Sequence, residues 1–142
     1  MRAADTNIVV RVLARDEPRQ VRQAEAFVAG GAWISHLVLA EAIWVLASTY
    51  RLHGSDLADT IEKLLNHREF VLEDPSTVAA ALARFRSRPA LGFSDCLILE
   101  IARKAGHLPL GTFDRELGKI DGARRLCAAR AYSAQPGSGS SA

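Results

Sequence analysis

Two rhythms of apolar residues alternate along this chain: short compact runs, and longer stretches in which apolar positions recur every three or four residues. Arg2–Ala3–Ala4 is a very short candidate strand running into Asp5–Thr6–Asn7, a turn and cap signal. Ile8–Val9–Val10 with Val12 and Leu13 fits a strand by propensity, or equally the apolar face of a short helix capped by Asp5 or Asn7. Pro18 suits the first turn of a helix through Val21, Ala24 and Val28, stopped by Gly30–Gly31. Ala32–Trp33–Ile34 reads as a short buried strand. Ser35 then caps a strongly apolar helix from His36 to about Arg51. Gly54–Ser55–Asp56 breaks that helix and starts another, with Leu57, Ile61, Leu64 and Leu65 at helical spacing.

The same alternation continues. Phe70–Val71–Leu72 reads as a strand, and Pro75 opens a helix through Val78, Leu82 and Phe85. Pro89 and Gly92 mark a loop, and Phe93 or Ser94 begins a helix that carries Asp95 and ends at Gly106. Pro109–Leu110–Gly111–Thr112 is a further strand feeding Phe113–Asp114–Arg115, a turn into a short helix, and Arg124 to Ala128 can supply an edge strand. Strands separated by helices imply βαβ units and a parallel sheet, which binds ligands at the carboxyl ends of its strands. The 142 residues suit one domain, spanning residues 1–130, with a Gly- and Ser-rich flexible tail expected over 131–142.

Composition changes this picture little. The chain is 49% hydrophobic and 24% charged, ordinary for a globular domain, and its net charge of +2 permits a nucleic-acid partner without demanding one. Its two cysteines, Cys96 and Cys127, suggest neither a disulfide framework nor a zinc site. The longest apolar stretch, Leu37 to Ala47, is interrupted by Glu41 and is too short to span a membrane. A reduced, soluble, cytoplasmic protein is the expectation.

Four carboxylates alter the picture more. Most acids pass as surface charges, but Glu41 lies in a helix that is apolar nearly all the way round, so burial is expected for it. A buried carboxylate needs a cation, a proton or an arginine partner. Asp95 sits in the first turn of another apolar helix, where capping is the plainer explanation. Asp5 and Asp114 each follow a strand and precede a helical segment, where either is an ordinary cap or a residue presented to a crevice. Taken together, the four can converge on one site whose mutual repulsion must be offset by cations. An all-oxygen cluster suits Mg²⁺ or Mn²⁺, and none of the four histidines has ligand spacing that would compete with it. Such carboxylate-held ions are a recurring solution for cleaving phosphodiesters.

At these residues the sequence resembles the PIN-domain family, and within it the VapC-type toxins of bacterial toxin–antitoxin pairs. The resemblance is carried by Asp5–Thr6–Asn7, Leu39–Ala40–Glu41, Phe93–Ser94–Asp95–Cys96–Leu97–Ile98 and Thr112–Phe113–Asp114–Arg115, in the family's order and approximate spacing. Ala14–Arg15–Asp16–Glu17–Pro18 and Trp44–Val45–Leu46 resemble one branch of it. It implies a three-layer α/β/α sandwich around a central, mainly parallel sheet of about four or five strands. It further implies an endoribonuclease in which Asp5, Glu41, Asp95 and Asp114 bind Mg²⁺ or Mn²⁺, with Asn7 and Thr112 as polar supports. Many relatives carry another Asp where this chain has Gly92, and Ala is usual where it has Cys96.

Partners follow from the same resemblance: an RNA substrate such as tRNA, a small antitoxin protein and a second copy in a homodimer. The alternatives are a housekeeping PIN nuclease of RNA processing and a catalytically silent PIN module that binds RNA or protein. Arg84, Arg86 and Arg88, alternating before Pro89, are candidates for a phosphate-guiding rim, or else ordinary solvated helix arginines.

Overall fold

The computed structural model describes residues 1–127; the tail expected over 131–142 lies outside the described residues. The elements run β1 (Arg2–Ala3), α1 (Thr6–Ala14), α2 (Pro18–Val28), β2 (Ala32–Ile34), α3 (His36–Ser48), α4 (Gly54–Leu65), β3 (Phe70–Leu72), α5 (Pro75–Ser87), α6 (Phe93–Ala105), β4 (Leu110–Thr112) and β5 (Ala123–Arg125), with a 3₁₀ turn at Leu117–Lys119. Six helices and parallel strands form the expected α/β/α arrangement.

The open choice over Ile8–Leu13 falls to a helix. Asp5 is its cap, its carboxylate accepting from the Thr6 amide, and Val9, Val10 and Val12 face inward. Packing of that face against the interior outweighs the strand preference of β-branched residues. At the other end Arg15 enters the left-handed region (φ 52°) and stops the helix. Ser35 caps α3 as expected, accepting from the Val38 amide at 3.1 Å, but α3 ends at Ser48, short of Arg51. Gly106 (φ 81°) closes α6 in a conformation that an L side chain rarely adopts.

All strand pairings are parallel, yet the expected single sheet is divided. β1, β2 and β3 form one sheet in that order, with Ala3 beside Trp33 and Trp33 beside Val71, while β4 and β5 pair separately. Ala32, Ile34, Phe70 and Leu72 point into the core, and the alternating Trp33 and Val71 stay 38% and 42% exposed. α1 packs against α2 and α3, α4 against α5, and α5 along α6, with α3 touching both α4 and α6. No helix among the described residues is long and apolar enough to cross a membrane.

Candidate active site

Three of the four carboxylates sit where a short strand or a helix start delivers them, and Glu41 lies in the middle of α3. β1 carries the chain into Asp5, an exposed residue in extended conformation (ψ 167°) at the head of α1. Its Oδ1 accepts from the Thr6 amide at 2.7 Å, so one oxygen serves the helix and the other remains available. Thr6 Oγ1 donates to Glu41 Oε2 at 2.6 Å, a charge-assisted bond joining α1 to α3. Asp5 and Glu41 are thereby linked through one threonine.

Glu41 is exposed, which corrects the expectation of burial. The other residues of its helix face, Leu37 and Trp44, are 73% and 67% exposed. An apolar surface all round a helix does not guarantee cover on every side; here Leu39, Ala42, Ile43 and Leu46 are the buried face.

Asp95 lies in the first turn of α6 and is partly buried. Gly92, not Asp95, is the cap of this helix, and no hydrogen bond reaches the Asp95 carboxylate among the described residues. Burial, and secondly the nearby charge of Asp114, push its carboxyl above the usual carboxylate range. Asp95 thus makes no capping bond, and of the plainer explanation only its favourable place in the first turn, near the positive end of the helix dipole, remains. Asp114 is exposed after β4, and its Oδ1 accepts at 2.7 Å from the amide of Leu117, the first residue of the 3₁₀ turn. Thr112 Oγ1 accepts from the Asp114 amide at 3.0 Å and so fixes that turn.

The acids thus come together as two pairs, Asp5 with Glu41 through Thr6 and Asp95 with Asp114. Among the described residues, no group of three or more carboxylate, imidazole or thiol side chains is arranged to hold a metal ion. The donor chemistry nevertheless fits a hard ion. Mg²⁺ is commonly held by one or two carboxylates, with water and substrate phosphate filling its other positions. Asp114 lies near enough to Asp95 for its charge to raise the Asp95 carboxyl, and among the described residues no cationic side chain is bonded to either.

Asn7 is exposed and lines a groove between α1 and α2 with Arg11, Gln20 and Phe27. It makes no hydrogen bond to any of the four carboxylates among the described residues; Thr6, its neighbour, does. The Asp5–Thr6–Asn7 signal contained that hydroxyl, but only the packing of α1 on α3 reveals its partner 35 positions away.

The arginine rim also changes. Arg84 Nε lies 3.2 Å from Glu100 Oε1, and Arg103 reaches the other oxygen at 3.3 Å. Arg86 bridges Asp59 and Glu62 of α4 at 2.9 and 3.0 Å. Two of the three arginines therefore hold helices together, and Arg88 remains exposed. Glu100, 7% exposed, is the buried acid with an arginine partner that the reading of Glu41 had anticipated at the wrong residue.

A groove of ≈ 340 Å³ runs beside the acids, lined by Trp44, His53 and Leu57 on one side and Gly92, Phe93 and Ser94 on the other. Its wall adjoins Asp95: a Cβ on Gly92 would lie 3.7 Å from Asp95 Oδ2, ordinary contact. The absent acid at position 92 is thus not excluded by space.

No curated protein and no solved structure matches the chain significantly. The family model for the PIN domain, by contrast, matches residues 3–123, a span that holds all four carboxylates and every helix and strand from α1 to β4. By that match, and with this parallel α/β/α arrangement, the chain belongs to the PIN domain family.

Proposed function

We propose that this protein is a Mg²⁺- or Mn²⁺-dependent endoribonuclease and the toxin of a toxin–antitoxin pair. The PIN domain is generally a nuclease fold, and the observation that carries the finer reading is the Asp95–Asp114 pair. A carboxylate whose charge is opposed by burial and by a second carboxylate nearby, as Asp95 is by Asp114, is stabilised by a divalent ion and destabilised without one.

Asp95 and Asp114 would hold the ion, and Asp5 and Glu41 would supply the second half of the site. When bound, the ion supplies activation of water and neutralisation of the charge developing on the phosphodiester. The protein's own groups set the geometry. Thr6 holds the Glu41 carboxylate in one orientation, and the Thr112 hydroxyl and the Leu117 amide fix Asp114. The partly buried position of Asp95 on α6 keeps water from screening its charge.

The toxin reading rests on the resemblance to VapC-type toxins and is supported by the exposed apolar surface beside the acids. The groove between Trp44 and Leu57 suits apolar anchors of an antitoxin peptide, and the face of α3 bearing Leu37 and Trp44 suits a second copy of the chain.

Cleavage of total RNA tests the enzyme. EDTA should abolish it, Mg²⁺ or Mn²⁺ should restore it, and Asp114→Asn should lack it; full cleavage in EDTA overturns the metal-dependent scheme. Growth arrest on expression in a bacterial host, absent in Asp5→Ala and relieved by a neighbouring small gene, tests the toxin. A wild type that is soluble, cleaves RNA and leaves growth unaffected points instead to RNA processing.

A further inference from the structure

Two arginines outside the expected rim belong to the Asp114 turn or pack on it: Arg115 within it and Arg125 against it. β5 pairs with β4 in parallel register, so that Arg125 lies beside Thr112 and Arg124 beside Gly111. Residues paired in register point to the same sheet face, and successive residues to opposite faces. Arg125 therefore shares the face of Thr112, whose hydroxyl accepts from the Asp114 amide, while Arg124 takes the other face.

A second observation places Arg125 independently. A Cβ on Gly118 would lie 2.6 Å from Arg125 Cβ and 3.3 Å from its Cα, so only glycine lets β5 approach the 3₁₀ turn this closely. Asp114 accepts from the amide of Leu117, the first residue of that same turn. The stem of Arg125 is thus packed against the turn that fixes one of the four carboxylates. Arg115 follows Asp114 directly and is exposed, as is Arg125.

Neither guanidinium has an ion-pair or hydrogen-bond partner among the described residues. Arg84, Arg86 and Arg103 all do, and of the two acids flanking Arg115, Asp114 accepts from the Leu117 amide and Glu116 is bonded to Lys119. Unneutralised guanidinium groups beside a carboxylate site complement the charge of a polyphosphate backbone, which they can grip bidentately.

We propose that Arg115 and Arg125 hold backbone phosphates of a single-stranded RNA beside the bond to be cut, on the face of β4–β5 that carries Thr112. This rests on the ribonuclease reading above. The contacts carry no sequence information; they set where the strand lies relative to Asp114.

The test is binding of a fluorescein-labelled single-stranded RNA in EDTA, followed by anisotropy across a series of salt concentrations, with circular dichroism melting as the folding control. Each lost phosphate contact lowers the slope of log K against log salt by about 0.7 for a single strand. Arg115→Gln and Arg125→Gln should each lower it by that amount, and the double variant by about 1.4. Arg125→Lys should recover most of the slope, because the charge is kept. Arg124→Gln, the same loss of charge on the opposite face, should leave the slope unchanged. An Arg124→Gln effect equal to that of Arg125→Gln overturns the proposal in favour of a diffuse charge effect. Unchanged slopes in both glutamine variants overturn it and leave the ribonuclease reading standing. Failure of the wild type to bind RNA at all brings down both.

Discussion

Asp95 carries the largest unmet electrostatic demand among the four acids. Asp5 and Asp114 each accept a backbone amide and Glu41 accepts a hydroxyl, whereas Asp95 is partly buried with no such bond among the described residues. Its carboxyl is raised above the usual range by burial and then by Asp114, which fixes the sign of its pH dependence. A group whose folded pKa exceeds its unfolded value favours the fold while protonated. The penalty from Asp95 therefore grows as pH rises from about 4, the ordinary aspartate value, through the folded pKa. Without divalent metal, Asp95→Asn should melt above the wild type at pH 7, and the gap should close toward pH 4. Each kcal/mol corresponds to about 4 °C for a domain of this size. Mg²⁺ should narrow the gap by stabilising the wild type alone. A lower melting temperature for the variant at pH 7 would mean that Asp95 stabilises the fold by a local bond.

At the scale of elements, α5 and α6 show why charge alone misled. Arg84 and Arg86 lie two residues apart in a sequence that reads as a basic rim, yet that spacing sends them to opposite sides of α5, where their guanidinium groups meet Glu100 on α6 and Asp59 and Glu62 on α4. Glu100 is buried between Arg84 and Arg103. Removing Arg84 strips a buried acceptor of one partner, at a cost of about 2 kcal/mol. Arg84→Ala should accordingly lower the melting temperature with the salt slope of RNA binding unchanged. A stable variant with weakened RNA binding would restore Arg84 to the rim. Arg86 faces exposed acids, and its removal should cost less than 1 kcal/mol or so. α3 gives the complementary lesson: its composition says buried on all sides, while Leu37 and Trp44 remain open.

For the whole molecule, that open face has a consequence. Large exposed apolar side chains next to a groove mark association surfaces more often than isolated ones do. A homodimer through α3 predicts that Leu37→Glu with Trp44→Glu converts a dimer to a monomer in sedimentation or light scattering, with the fold intact. A wild type that is monomeric at tens of micromolar, or a double variant that stays dimeric, rules out that use of the face. The mutation removes no core contact, since the buried side of α3 is Leu39, Ala42, Ile43 and Leu46.

By itself the sequence determined the order and type of nearly every element, because its signals are local: Ser35 and Pro75 at helix starts, Gly106 at a helix end, Ile61 and Leu64 on one helix face. The motifs around Asp5, Asp95 and Asp114 are local in the same sense, short strings at the end of a strand or the start of a helix, whereas Glu41 stands out as a lone acid within an apolar helix. Only the tertiary structure decided what each of those residues touches. Whether Ile8–Leu13 was strand or helix depended on the interior against which α1 packs. Whether Glu41 was buried depended on which helices cover α3, and whether Arg84 was free depended on Glu100, 16 positions away on another helix. The pairing of Asp95 with Asp114, and the Thr6 bond to Glu41, likewise join segments remote in sequence. Local chemistry fixes caps and periodicity, but the partner of a charge is set by long-range packing, which no spacing along the chain encodes.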